Sequence, residues 1–389
     1  MTPLLSIILL FLIAYFGWLF YKRFSSKSAL INHIAASGSI YLLAGFLIGP
    51  QLFGLLTEEI IEKLNVLVGL VLGWTGFLIG LQAKRQELRR FQESYYLFAS
   101  LNFFLMLSGS VAILFLLQRY IFPEFDWGHF TLLAIAGTVS SPILIALLRT
   151  DYRVRGHGIH LLQFSAAYDN MLGVIVFGIA LILFNPILSY EPMALIALIA
   201  SLIFSTLMAY LFYTLSKRVI NEQQFFLILV GFLLLIVGVA LNINISLIFI
   251  SFVFGLVLTN LPVETNRLYH SIEQAEKPLY YLMLIFVGAS IQSVSAHVLY
   301  LVLVFIVLRL VLKYLAGYLA RMSFISTGRP PKTIGIPHIG MGGLAVATIL
   351  DYHVSYLDEY SSSLLLVVAL SMIINTMVSP RLYKRALEL

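Results

Sequence analysis

Long apolar segments separated by short polar connections run through the whole sequence. Most of them are long enough for an α-helix to cross the roughly 30 Å hydrocarbon core of a bilayer. We therefore predict an all-α polytopic membrane protein with about thirteen transmembrane helices. The predicted segments, numbered one to thirteen, are Leu4–Phe20, Ser39–Leu56, Leu64–Gln82, Tyr95–Leu117, Phe130–Leu148, His160–Phe184, Met193–Leu215, Gln224–Leu241, Ile243–Asn260, Pro278–Gln292, Val298–Ala320, Ile334–Leu350 and Tyr360–Ser379.

Two of these segments are interrupted by residues that break helices. Segment five contains GTVSSP at 137–142, and segment twelve contains PHIGMGG at 337–343. Proline removes a backbone donor and glycine weakens a helix interior, so we expect two discontinuous helices. Such backbone is tolerated at membrane depth only where it is buried in protein or lines a cavity. The Gly49-Pro50 pair in segment two is more simply interpreted as a packing kink.

The positions of the two interruptions indicate an internal repeat. If segment seven is a linker, segments one to six and eight to thirteen form two halves of opposite orientation, in which segment five corresponds to segment twelve. Paired interruptions in inverted halves are typical of the midplane site of a secondary transporter. We therefore expect one transmembrane domain over residues 1–389, with inverted six-helix repeats at 1–192 and 224–389, a linker helix at 193–223, and discontinuous helices that cross.

The most unusual residue is Asp169, which lies with Asn170 near the middle of segment six. A carboxylate at the centre of a membrane helix costs about 2.5 to 3.5 kcal/mol, so it usually faces a partner or a water-filled cavity and marks an ion or proton path. The alternative is an aspartate that only holds helices together. The other acidic residues, such as Asp351 and Asp151, lie in connections or at segment ends, which leaves Asp169 as the one deep acid.

Two basic residues lie inside segment eleven. Arg309 and Lys313 are four residues apart and therefore share one helix face. Arg309 is too deep to reach water, whereas Lys313 could extend part of the way. A deep acid and a deep base are most economically explained as partners or as competitors for one site. The alternative is that helix-end carbonyls neutralise Arg309 and that Lys313 extends toward the surface.

The remaining basic residues predict the orientation. They are concentrated in the connections after the odd-numbered segments and in the C-terminal tail, whereas the opposite side carries Lys63 and Arg119. Because cytoplasmic loops are enriched in Lys and Arg, we predict a multi-pass protein, integral to the cell (inner) membrane, with the N-terminus outside and the C-terminus in the cytoplasm. Leu4–Phe20 is interpreted as a retained first span, since no basic residue precedes it and no small-residue cleavage site follows.

Composition excludes several other classes of protein. Of the 389 residues, 60% are hydrophobic and 11% are charged, whereas about a quarter of the residues in a soluble domain are charged. The net charge of +6 is spread over the connections, so no nucleic-acid partner is expected. The absence of cysteine excludes disulfides and thiol chemistry. Ser140, His338 and Asp169 would make a hydrolase triad only with a geometry that the sequence does not give, so we predict no enzyme activity and no cofactor.

Several segments resemble the monovalent cation:proton antiporter superfamily, the sodium/proton exchanger-like fold with its Kef- and Nap-type membrane domains. The resemblance is carried, in the order expected for that family, by AGFLIGPQLFGLL, VGLVLGWTGFLIGLQ, GTVSSP, DNMLG, FVGASIQ, RLVLKYLAGYLA and GMGGLAVA. It covers nearly the whole chain. The resemblance implies the antiporter fold and a homodimer in the lipid bilayer.

The functional residues of that family carry over only in part. Relatives commonly have an acid at the second position of the paired motif as the ion and proton carrier, whereas this chain has Asp169 followed by the neutral amide Asn170. An amide offers an oxygen to a cation but carries no proton. Either Asp169 has become the carrier, or coupling is altered or lost. The family's buried base matches Arg309, or Lys313 if the alignment shifts by one turn, and Met341–Gly343 replaces a charged stretch.

The leading hypothesis is a secondary antiporter that exchanges a monovalent cation, Na⁺ or K⁺, for protons by alternating access around Asp169, the ligand of the transported cation. Hard oxygen ligands suit such ions. Two alternatives stay open: a non-transporting or regulatory membrane protein on this fold, and an anion transporter that uses Arg309 and Lys313. The candidate ion- and proton-binding residues are Asp169, Asn170, Thr138, Ser140 and Ser141; the buried bases or counter-charges are Arg309 and Lys313; the broken-helix residues are Pro142, Pro337, His338, Gly342 and Gly343.

Overall fold

The computed structural model describes residues 33–34, 36–151, 157–185, 191–219, 221–263, 265–292, 294–324, 329–356 and 360–387, and every regular element within them is helical. The α-helices of ten residues or more are α1 (Ser39–Ile48), α2 (Asn65–Leu81), α3 (Glu93–Tyr120), α4 (Trp127–Thr138), α5 (Pro142–Asp151), α6 (His157–Leu183), α7 (Glu191–Ser216), α8 (Glu222–Asn242), α9 (Leu247–Asn260), α10 (Thr265–Ala289), α11 (Ala296–Ala320), α12 (Gly343–Tyr356) and α13 (Ser361–Leu387). Short α-helices span Glu58–Lys63 and Arg85–Leu88, and 3-10 turns span Arg321–Ser323 and Ile336–Ile339.

Segments two to thirteen of the sequence analysis fall on these helices. Segment one, Leu4–Phe20, lies outside the described residues. Within the described part, 7 helical stretches are long and apolar enough to cross a membrane, and α1, α2 and α9 are shorter apolar helices. The all-helical, multi-pass architecture therefore agrees with the prediction, while the total of thirteen helices, the inverted repeats and the orientation of the termini stay predictions.

Two segments differ in form from their prediction. The packing kink predicted at Gly49-Pro50 is wrong, because α1 ends at Ile48 and the chain then turns back on itself, so that the amide of Leu56 donates to the Ile48 carbonyl at 2.8 Å. Segment ten was expected to begin at Pro278. Instead α10 begins at Thr265, and the proline lies inside it.

Close backbone packing joins the helices of one group, which we call the panel: α1, α2, α8, α9 and α10. Glycines make this packing possible. A Cβ atom on Gly76 of α2 would lie 2.1 Å from the carbonyl oxygen of Ile248 in α9, and one on Gly45 of α1 would lie 2.1 Å from that of Ile285 in α10. Any larger side chain would force these helix pairs apart.

A second group, which we call the core group, contains α3 to α6, α11, the 3-10 turn Ile336–Ile339, α12 and α13. Both chain interruptions lie in it. Helix α7 packs against α8 and α9 of the panel and against α6 of the core group.

Polar residues cap the start of several helices at one end of the bundle. Asp126 precedes α4 and forms a capping box with His129. The hydroxyl of Ser246 accepts from the Phe249 amide of α9 at 3.0 Å, and that of Ser295 caps α11. Such side chains satisfy amides that have no partner inside the helix. By the orientation predicted from the basic residues, this end is extracellular.

Candidate ion-binding site

The two interruptions meet inside the core group. Helix α4 ends at Thr138 and α5 begins at Pro142, while α12 begins at Gly343 after the 3-10 turn. The amide of Ser141 donates to the carbonyl oxygen of Gly340 at 3.0 Å. A Cβ on Gly342 would lie 3.3 Å from Ser141, so a side chain there would crowd the crossing.

Asp169, on α6, lies beside this crossing with its side chain fully buried. Its Oδ2 atom accepts from Ser140 Oγ at 3.1 Å and from Asn102 Nδ2 at 3.4 Å. Lys313 Nζ is 3.5 Å from the same oxygen, and His338 Nδ1 is 3.9 Å from it. Among the described residues, Oδ1 has no hydrogen-bond partner. One carboxylate oxygen therefore lies within hydrogen-bond distance of three side chains, with His338 further away, and the other oxygen has no partner in the described chain.

Lys313 is the buried base that contacts Asp169. Its ammonium group donates to Ser140 Oγ at 2.9 Å and to the backbone carbonyl of Thr138. The side chain is fully buried, so the alternative in which Lys313 extends toward the surface is wrong. A buried charge persists only where it is paired or hydrogen-bonded, and Lys313 satisfies both conditions.

Arg309 neutralises the ends of both interrupted helices. Its guanidinium group donates to the carbonyl oxygens of Gly137 at 2.9 Å and Val139 at 2.8 Å, at the end of α4. It also donates to the carbonyls of His338, at 3.4 Å, and Ile339, in the 3-10 turn. Carbonyls at a helix C-terminus have no intrahelical partner and carry partial negative charge. The structure thus agrees with the alternative considered for Arg309, in which helix-end carbonyls neutralise it.

Asn170 faces a cavity of about 430 Å³, whose lining also includes Ser140, Ser141, Pro142 and Gly342. Its Oδ1 atom has no hydrogen-bond partner within the described chain. Ser140 both lines the cavity and donates to the buried carboxylate. Ser140 therefore links Asp169 to the cavity.

The cavity opens toward one end of the bundle. Its lining includes the exposed residues Gln82, Glu276 and Lys277. Gln82 follows the last residue of α2, and the hydroxyl of Thr259 donates to the Leu81 carbonyl at 3.2 Å, so α2 and α9 end together at this mouth. The predicted orientation makes this the cytoplasmic end.

Two of the predicted oxygen ligands have other partners. The hydroxyl of Thr138 donates to the Ile135 carbonyl of its own helix at 2.6 Å, so Thr138 contributes to the site through its backbone carbonyl. Ser141 Oγ accepts from the Leu144 amide at 3.3 Å and still lines the cavity.

The broken-helix residues contribute to the geometry of the crossing more than to ion binding. Pro142 is the first residue of α5, where its missing amide hydrogen costs nothing. The carbonyl of Pro337 accepts from the Tyr383 hydroxyl at 3.0 Å, which ties the 3-10 turn to α13. A Cβ on Gly343 would lie 2.2 Å from the ring of Tyr280, so glycine lets α12 begin against α10.

Sequence reasoning missed Asn102 as a partner of Asp169. A signal was present, since Asn102 is an amide inside the apolar segment four, and such residues are costly in a membrane without a partner. Tyr383 was missed because it lies beyond the predicted end of segment thirteen.

Asp169 is not the one buried acid of the described residues. Asp351 is also fully buried. Its carboxylate accepts from the Ser246 hydroxyl at 2.6 Å and from the amides of Leu247 at 3.0 Å and Ile248 at 3.2 Å. The position of Asp351 at a segment end concealed this, because an aspartate there is expected to reach water.

Comparisons with known proteins identify the family and the fold. The family model described as sodium/hydrogen exchanger, transmembrane, matches residues 11–385. The structure is similar to that of the sodium proton antiporter MjNhaP1 from Methanocaldococcus jannaschii at pH 8, with a TM-score of 0.71 and 14% identity over 100% of this chain and 99% of that chain. An electron-microscopy structure of MjNhaP1 matches with a TM-score of 0.63, 14% identity and the same coverage. A search of curated proteins gave no significant match. The family match extends over nearly the whole chain, and the protein therefore belongs to the sodium/hydrogen exchanger family.

Proposed function

We propose that the protein is a secondary antiporter that exchanges a monovalent cation, Na⁺ or K⁺, for protons by alternating access around Asp169. The observation that carries this proposal is the state of the Asp169 carboxylate. It is fully buried, one of its oxygens has no partner among the described residues, and it accepts a hydrogen bond from Ser140, which lines the cavity. Membership of the exchanger family supports the same function.

The distribution of donors favours a cation over an anion. The donors of Arg309 point to backbone carbonyls, and the ammonium group of Lys313 is shared between a carbonyl, a hydroxyl and Asp169. Around the cavity and the crossing, the described atoms without partners include the oxygens Oδ1 of Asp169 and Oδ1 of Asn170, together with the ring nitrogens Nε1 of Trp74 and Nε2 of His338. Oxygen ligands suit hard cations and repel anions.

Exchange follows from competition for one carboxylate. A cation that enters the cavity first meets the amide oxygen of Asn170 and the hydroxyls of Ser140 and Ser141. Rotation of the Ser140 hydroxyl away from Asp169 lets the cation contact the carboxylate, which must then be ionised. When the cation leaves, a proton replaces it on Asp169, and the ammonium group of Lys313 keeps its hydrogen bonds to Ser140 and to the Thr138 carbonyl. Lys313 stays in contact with Oδ2 and positions the carboxylate.

The division of the fold into two groups supports the movement that alternating access needs. The site lies in the core group, whereas much of the cavity wall, including Trp74, Thr75 and Tyr281, belongs to the panel. We propose that the core group moves against the panel and carries the site between the two sides of the membrane. We also propose the inverted repeats 1–192 and 224–389, the homodimer and the cytoplasmic C-terminus as parts of this account.

The test is exchange by the purified protein in proteoliposomes with an imposed pH gradient. Sodium, potassium or lithium chloride should dissipate the gradient, and choline chloride should not. Asp169→Asn should abolish exchange, whereas Asp126→Asn, which neutralises a helix-capping acid away from the site, should retain it. Unchanged exchange by D169N would refute the proposal.

The same assay separates the alternatives. A response that depends on the anion of a sodium salt and not on the cation would favour anion transport. Absence of any flux from folded protein in every salt would favour a non-transporting role on this fold, for which the neutral Asn170 at the cavity is the motivating observation.

A further inference from the structure

Asp351 joins the core group to the panel. It belongs to α12 of the core group, and its three closest hydrogen-bond partners, Ser246, Leu247 and Ile248, all lie at the start of α9 in the panel. Both Asp351 and Ser246 are fully buried. The hydroxyl of Ser355, one turn further along α12, donates to the same carboxylate at 3.4 Å.

The contact has the chemistry of a helix cap supplied by another helix. The first amides of α9 have no partner inside the helix and carry partial positive charge, which a carboxylate stabilises. Ser246 is the cap of α9 in its own chain segment, since it accepts from the Phe249 amide at 3.0 Å. The same hydroxyl donates to Asp351 at 2.6 Å. Separation of α12 from α9 would therefore expose several polar groups at once.

This contact and the cavity mouth lie at opposite ends of α9. The mouth is where α2 and α9 end, and Asp351 binds where α9 begins. Because α9 has 14 residues, the two places are about 20 Å apart along the helix. The crossing of the interrupted helices lies between them, and α12 runs directly from that crossing to Asp351. A movement of the crossing relative to the panel would displace Asp351 from α9.

We propose that Asp351 and the start of α9 form a latch that closes the far side of the protein while the cavity is open. The latch must separate before the site can open to the far side. This inference rests on the alternating access of the proposed function. It adds a contact that determines the relative populations of the state open to the cavity side and the state open to the far side. Loss of the latch shifts the protein toward the state that opens at the far side.

The first test uses the absence of native cysteine. The pair Ser246→Cys and Asp351→Cys is joined with a short bifunctional thiol reagent whose bridge a reductant can cleave. Joining should stop exchange in proteoliposomes, and cleavage should restore it. A joined protein, verified by mass spectrometry, that exchanges at the unjoined rate would overturn the latch. Absence of exchange by the unmodified wild-type protein would instead count against the proposed function.

A matched cross-link within the panel is the control. A Cβ on Gly73 of α2 would lie 3.8 Å from Cβ of Ser251 in α9, which is close to the usual distance of about 3.8 Å in a disulfide. The same Cβ would lie 2.6 Å from Cγ2 of Val237, so Val237→Ala is included to make room for it. The pair Gly73→Cys and Ser251→Cys should then form a bond between two helices of one group. Because these helices move together, oxidation of this pair should leave exchange unchanged.

The second test keeps the site intact and needs no cross-link. Asp351→Asn retains one acceptor oxygen and removes the charge. In oriented vesicles the apparent KM for the cation should rise on the cavity side and fall on the far side, and their ratio should change by about five- to tenfold. Asp126→Asn removes an acidic cap whose capping box lies at the start of its own helix, α4, and its KM ratio should equal that of wild type. A folded D351N protein with an unchanged ratio would contradict the latch.

Discussion

Replacing Lys313 by methionine removes the ammonium group and keeps a side chain of similar length. Nζ lies 3.5 Å from Oδ2 of Asp169, and both side chains are fully buried. At an effective dielectric constant of about 20, unit charges at that distance attract each other by roughly 5 kcal/mol. Removing one partner of a buried pair costs about 3 to 5 kcal/mol, because the other charge is left uncompensated. We therefore expect Lys313→Met to lower the free energy of unfolding by about 3 kcal/mol.

This loss of unfolding free energy should come from breaking the interaction between Lys313 and Asp169, and not from the absence of either residue alone. Asp169→Asn should also destabilise the protein, because Lys313 then loses its charged partner. The double variant K313M/D169N leaves no isolated charge at this position. The double variant should therefore lose less unfolding free energy than the two single variants lose together, by about 2 kcal/mol.

Denaturant unfolding of the purified protein in detergent, followed by helical circular dichroism, measures all four proteins of the cycle. The pH is set high enough that adding the cation releases no proton, so that Asp169 is ionised. Lys277→Met is the matched control, because Lys277 is exposed at the cavity mouth. It should change the unfolding free energy by less than about 0.5 kcal/mol. Additive losses in the double variant would show that the two buried groups do not interact as charges, and the proposed positioning of Asp169 by Lys313 would then fail.

Two further variants test other parts of the site. Arg309→Met should lower the free energy of unfolding by at least about 3 kcal/mol, because it leaves the carbonyls at both breaks without donors; a variant as stable as wild type would show that Arg309 does not hold the crossing together. Asn170→Ala should raise the KM for the cation on the cavity side about tenfold, the effect of losing roughly 1.4 kcal/mol of binding. Thr75→Val, whose hydroxyl bonds to its own helix in the cavity wall at 3.0 Å, should leave KM unchanged, and equal KM values for both variants would exclude Asn170 as a ligand.

Much of the fold was predictable because a membrane restricts the chain to few structures. Every backbone group in hydrocarbon must find an internal partner, so apolar segments of sufficient length become helices. The interruption between α4 and α5 and the one before α12 could also be predicted from the sequence, because glycine and proline at membrane depth conflict with a continuous helix. The end of α1 at Ile48 was missed because a Gly-Pro pair near a segment end can either kink a helix or stop it.

The helix packing could not be read from apolar patterns. A membrane helix is apolar on both its lipid-facing and its protein-facing sides, so hydrophobic periodicity does not indicate which helices are neighbours. The glycines of α2 are informative only once α9 is known to lie against Gly76. For this reason the division into a panel and a core group came from the structure.

In the site, the sequence identified the charged residues more reliably than their partners. Asp169, Arg309 and Lys313 were found because charges inside apolar segments are rare. Which of the two bases contacts Asp169 depends on the directions of the side chains. Arg309 and Lys313 are only one helical turn apart, so the sequence does not distinguish between them. The structure gives that contact to Lys313 and the helix-end carbonyls to Arg309. The burial of Asp351 depends on α9, more than 100 residues away in sequence, so no local pattern could reveal it.

The central claim is that a cation and a proton compete for the carboxylate of Asp169. Proton release from purified protein in weakly buffered detergent, measured as sodium or potassium chloride is added over a range of pH, tests this claim most directly. The account predicts proton release by the wild-type protein, saturating with the cation, and none by Asp169→Asn. Equal proton release by folded D169N would contradict it, because the exchanged proton would then come from another group.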